Sequence, residues 1–152
     1  MYQTLLVIHS YTRWLVLVFG LIALFRAYTG WTGRRPYTGA DNGMGASFVG
    51  SIHLQVLLGL LLYFMGNWPS RVAGAAMEGA ARAEVRFFKM EHIAVMLLAA
   101  VLAQVGRSLS KKASDDVTKH KKAFTYFGIA LLLILLMIPW GMWNPARPLF
   151  RL

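Results

Sequence analysis

The sequence predicts an all-α membrane protein: four transmembrane helices in an up-down-up-down bundle, forming one domain over residues 1–152. Three observations point there. The chain is 57% hydrophobic with a mean hydropathy of +0.52, more apolar than a soluble protein of 152 residues. Its apolar residues gather in four runs, about 5–28, 46–65, 87–106 and 123–143. A helix needs roughly 20 such residues to cross a hydrocarbon core about 30 Å thick, so each run is long enough to span. The connections are short, so successive helices are expected to lie antiparallel with little protein outside the bilayer.

The elements follow in order. Met1–Thr4 lacks a basic stretch and no small-residue cleavage site follows the first run, so that run is expected to remain as a span rather than be removed as a signal peptide. Gly30, Gly33, Pro36 and Gly39 break it, and Asn67-Trp68-Pro69 ends the second. Ala73–Val85, rich in alanine, arginine and glutamate, reads as a short surface helix leading into the third span. Ser110–Asp116 is a polar turn, with Asp116 or Thr118 expected to cap the fourth helix and Pro139 expected to kink or end it. Tyr2, Trp31, Trp68, Trp140 and Trp143 suit the aromatic belts at the membrane interfaces.

The net charge of +10 does not point to nucleic acid, because the basic residues sit beside the spans, where they orient the chain and meet lipid headgroups. Arg26, Arg34 and Arg35 flank the first loop, and Arg107, Lys111, Lys112, Lys119, Lys121 and Lys122 the third. These loops share one side, so the positive-inside rule places them in the cytoplasm and both termini outside. The absence of cysteine removes disulfides, thiolate metal sites and covalent haem attachment.

The four histidines distribute one to a helix: His9, His53 and His92 lie within the first three spans, and His120 sits at the inner start of the fourth. Ionisable groups inside a membrane are costly, and imidazole ligates haem iron. By position, His9 and His92 form an outer pair on helices one and three, and His53 and His120 an inner pair on helices two and four. Those helices are diagonal partners in a sequentially wound bundle, so each pair is expected to approach a macrocycle from opposite faces. Met90 and Met96, beside His92, are alternative axial ligands. Gly20, Gly50, Gly59, Ala99 and Gly128 leave room for a porphyrin or simply for close helix packing. Arg34, Arg35, Lys119, Lys121 and Lys122 are candidates for propionate partners of an inner haem, and Arg86 or Lys89 for an outer one.

Arg13 lies one turn from His9, and Glu91 adjoins His92. An Arg13–Glu91 ion pair locking helices one and three is the expected arrangement. The alternatives are a propionate on Arg13 or proton handling by Glu91. Gln55, some 200° around the helix from His53, reads as an interhelical hydrogen bond, and Gln104 the same. Phe124, Phe127 and Met137 read as lipid-facing or packing surface. No nucleophile–base set, phosphate-binding glycine loop or hydrolytic carboxylate pair is present.

The segments His9-Ser10-Tyr11-Thr12-Arg13-Trp14, His53–Gly59, Arg86–His92 and Ile138-Pro139-Trp140 resemble small bacterial four-helix membrane proteins of the cytochrome b-like type, over almost the whole chain. That resemblance implies residence in the bacterial inner membrane and one or two b-type haems. In the broader di-haem architecture two ligands commonly share a helix, whereas here each helix gives one. The reading is a haem-binding electron carrier serving quinone or a periplasmic partner. The alternative is a cofactor-free accessory subunit of a larger membrane complex.

Overall fold

A computed structural model describes residues 1–71 and 79–140. It contains four helices long and apolar enough to cross a membrane: α1 (Tyr2–Thr32), α2 (Gly39–Met65), α3 (Gly79–Lys112) and α4 (Asp116–Met137). The protein is thus an all-helical, multi-pass membrane protein, without a strand among the described residues. Neighbours around the bundle are α1–α2, α2–α3, α3–α4 and α4–α1, so α1 stands diagonally from α3 and α2 from α4. The α2–α3 interface is the smallest of the four. The end carrying Tyr2, Met65, Gly79 and Met137 is termed upper, and the end with Thr32, Gly39, Lys112 and Asp116 lower.

The helices outrun the apolar runs because hydropathy does not register polar first turns. α2 starts at Gly39 rather than near 46: the Thr38 backbone N–H and hydroxyl both donate to Asp41 Oδ2, at 2.9 and 2.7 Å. This carboxylate holds the orphan donors at the helix start. It also accepts from Arg26 of α1 at 2.9 Å and lies 3.7 Å from Arg35, tying the lower ends of α1 and α2 together. α4 starts at Asp116 rather than near 123, and its cap is Asp115, not Asp116 or Thr118. Asp115 is in extended backbone and accepts the Thr118 N–H at 2.8 Å, as capping geometry requires. These bonds to Thr118 hold the exposed Asp115 carboxyl below its ordinary range.

At its upper end α4 stops at Met137, short of 143, and Trp143 lies outside the described residues. Pro139 has no N–H, so the Leu135 carbonyl loses its helical donor, and the Trp140 indole N–H replaces it at 2.9 Å. The surface helix expected over Ala73–Val85 falls partly on residues outside the description. From Gly79 onward the chain is helical and runs unbroken into the third span. Within it, Phe87–Glu91 forms one wide π-turn, a feature found mostly where a helix must re-aim a side chain.

Lipid offers no hydrophobic drive for helix association, so close packing has to supply it. α1 buries Gly20, Ala23, Ala27 and Gly30; α3 buries Ala99, Ala100, Ala103 and Gly106. At Gly106 a Cβ would stand 2.2 Å from Tyr126 Cβ, so only glycine lets α3 and α4 come so near. Between these seams Phe48, wholly buried, meets Phe127 edge-on at 5.4 Å. Trp68 is buried rather than a belt residue, packed on Phe88 at 5.2 Å with the Arg71 guanidinium 4.0 Å over its ring.

Candidate cofactor site

The upper half of the bundle encloses a cavity of about 130 Å³ lined by all four helices. His9 and Arg13 reach it from α1, Gln55, Gly59 and Tyr63 from α2, His92 and Met96 from α3, and Ile134 and Ile138 from α4 and the residue after it. The two upper histidines, on diagonal helices, therefore share one space.

Local structure explains each placement. His9 and Arg13 are one turn apart, on one face of α1. Gln55 Nε2 donates to the His9 carbonyl at 2.8 Å, and Gln55 Oε1 accepts from the Thr12 hydroxyl. This amide fixes the register of α1 against α2 beside the histidine, the interhelical role expected of it. One turn further along α2, a Cβ on Gly59 would lie 3.3 Å from His9 Cε1, so the glycine leaves room for the ring. No hydrogen bond engages the His9 imidazole among the described residues, and its Nδ1 is buried. A buried polar atom without a partner costs roughly 1–3 kcal/mol, so the bundle tolerates it only for a reason.

His92 is held differently. The π-turn delivers it with Phe87 and Phe88 at 5.5 and 5.7 Å from its ring, and its Nδ1 lies 3.0 Å from the Met137 carbonyl at the end of α4. A carbonyl only accepts, so Nδ1 carries the proton and Nε2 is the basic nitrogen. Metal-ligating histidines are oriented in this way by a carbonyl on the opposite nitrogen. Across the α2–α3 seam, the Tyr63 hydroxyl donates to the Lys89 carbonyl, within the π-turn, at 3.0 Å.

The lower pair does not come together. His53 lies mid-way along α2 on its exposed face, whereas His120, near the start of α4, is wholly buried. A Cβ on Gly30 would stand 2.3 Å from the His120 ring, and Tyr37 lies 5.1 Å away. Both His120 nitrogens are buried without a hydrogen-bond partner among the described residues. The placement differs from expectation because α2 begins at Gly39, which carries His53 upward, and because helix rotation turns it outward while Gln55 turns in.

Other expectations change too. Glu91 pairs with Arg86 at 2.8 Å, not with Arg13, because the π-turn brings Arg86 to it. Lys89 donates to the Arg71 carbonyl at 3.0 Å, so neither Arg86 nor Lys89 lines the cavity and Arg13 is its cationic group. Met96 lines the cavity, Met90 is exposed, and Gln104 is an exposed partner of Ser108 rather than an interhelical link.

The donor set fits a bis-histidine haem: two imidazoles from opposite corners, one with its tautomer fixed, and an arginine for a carboxylate. The enclosed volume is below the roughly 300–1,000 Å³ of ligand pockets, so the cavity would have to widen to admit a porphyrin, and the fit rests on the donor set. Leu97 lines the cavity and is 41% exposed, so the cavity reaches the lipid-facing surface of α3. Among the described residues no cluster of three or more histidine, cysteine or carboxylate side chains is arranged to hold a bare metal ion. Comparison with protein-family models, curated proteins and solved structures finds no match to this chain.

Proposed function

We propose that the protein is a membrane electron carrier for one b-type haem at the upper cavity, which His9 and His92 would hold. The observation that supports this most is the convergence of these two imidazoles, from diagonal helices, on one largely apolar cavity. Haem supplies reversible one-electron transfer, and the protein sets its position and potential. His92 would offer Nε2 to the iron, because the Met137 carbonyl holds the proton on Nδ1. His9 gains a partner for a ring that has none among the described residues, and Arg13 neutralises a propionate. Gln55 and Tyr63 hold α2 against its neighbours, and Ile134, Ile138 and Met96 exclude water. An opening toward lipid suits an isoprenoid quinone as the exchanging partner, since it arrives from the same phase. The cytochrome b-like resemblance of the sequence supports the same reading.

The test is the visible spectrum of the purified protein, oxidised and reduced, after expression with ample haem. A Soret band and a reduced α band are expected, lost in His9→Ala and in His92→Ala and kept in His53→Ala. A colourless protein refutes the proposal and leaves the accessory-subunit reading. Loss of colour in His53→Ala with retention in His9→Ala refutes the ligand assignment.

A further inference from the structure

His53 is an ionisable side chain placed where the membrane is driest. It lies 14 residues beyond Gly39 and 12 before Met65 in α2, so at about 1.5 Å per residue it is near the middle of the helix. Its side chain is exposed, on the face of α2 turned away from the bundle, and makes no hydrogen bond among the described residues. In hydrocarbon an imidazole left without a partner is costly, and membrane helices satisfy such groups by hydrogen bonding across helices.

We propose that α2 packs against the α2 of a second copy of this chain, with the two His53 rings hydrogen-bonded to each other. The ring's combination of one donor and one acceptor favours a copy over a different partner. A neutral imidazole has one N–H and one lone pair, so it complements itself. A two-fold axis along the membrane normal sets the second ring at the same depth, whereas an unrelated helix would need its own polar group at that level. The surroundings allow the approach. Gly50, one turn away, is open: a Cβ there meets nothing within 4 Å, and the same is true of Gly43. Above His53 the face continues with exposed Leu54, Leu57 and Leu61, which supply van der Waals contact. This contact uses neither the cavity nor its ligands and so stands independently of the haem reading.

The chain has no cysteine, so single cysteines report proximity without interference. In vesicles of the full-length protein, Gly50→Cys is expected to cross-link into a dimer under mild oxidation, while Phe25→Cys and Leu98→Cys, on other exposed faces, are not. Energy transfer between labelled copies, diluted with lipid, gives the dissociation constant. His53→Leu, which leaves the fold intact by removing a polar group from a lipid-facing site, should weaken association ~3- to 30-fold, the range of one interhelical polar bond. A monomeric wild type at all lipid ratios overturns the proposal. So does cross-linking that is equal on every face, or association of His53→Leu as tight as wild type.

Discussion

Gly30→Ala puts a number on the lower-end packing. Two effects of opposite sign meet at this position. Alanine in a helix is ordinarily about 0.5–1 kcal/mol better than glycine, because it gives up less backbone entropy. Here the added methyl stands 2.3 Å from the His120 ring, against the 3.4 Å at which ordinary contact begins. His120 is 0% exposed and cannot step aside, so overpacking of roughly 1–3 kcal/mol applies. The clash outweighs the propensity gain, and the expected net loss is about 1–2 kcal/mol. In a His120→Ala background the obstacle is gone and the same change is expected to stabilise by about 0.5–1 kcal/mol. A double-mutant cycle by unfolding in mixed SDS and mild-detergent micelles, followed by circular dichroism, reads both values. Equal loss in the two backgrounds, or a gain in wild type, refutes the contact.

Two further predictions concern the other end of the site and the α1–α2 junction. Gly59→Leu crowds the His9 ring and the cavity beside it, so the variant should keep its helix content and lose most of its bound haem; a full haem complement would show that the macrocycle lies elsewhere. Asp41→Asn keeps the size of a side chain only 4% exposed but removes its charge from Arg26 and Arg35. With Arg26 a third exposed, the expected cost is on the order of 2–3 kcal/mol, read by the same unfolding titration; a change under about 0.5 kcal/mol would show that the network is surface decoration.

The spans were legible because an apolar run of some 20 residues has no comfortable place in a chain this small except across a bilayer. Their ends were not, since Gly39-Ala40-Asp41-Asn42-Gly43 reads as a loop until the Thr38–Asp41 bonds are known. The depth of each histidine was roughly readable, but its facing was not. In α1 both faces are apolar, with Leu15, Leu21 and Phe25 exposed and Val16 and Leu17 buried, so hydropathy carries no direction. Small residues do mark the inner side of α1 and α3, yet on α2 Gly43 and Gly50 face outward, so the same mark misleads there. The π-turn leaves no signature in Phe87–Glu91, so the sequence does not reveal that it brings Arg86 within reach of Glu91.

The carbonyl that fixes the His92 tautomer belongs to the upper end of α4, the fourth span. Biogenesis therefore has an order built into it. A nascent chain paused after three spans already carries both upper imidazoles, yet the second lacks the carbonyl that sets its proton on Nδ1. Insertion of the fourth span supplies that carbonyl and at the same time adds Ile134 and Ile138 to the cavity wall. The upper cavity therefore gains its full wall only once α4 has entered the membrane beside α3.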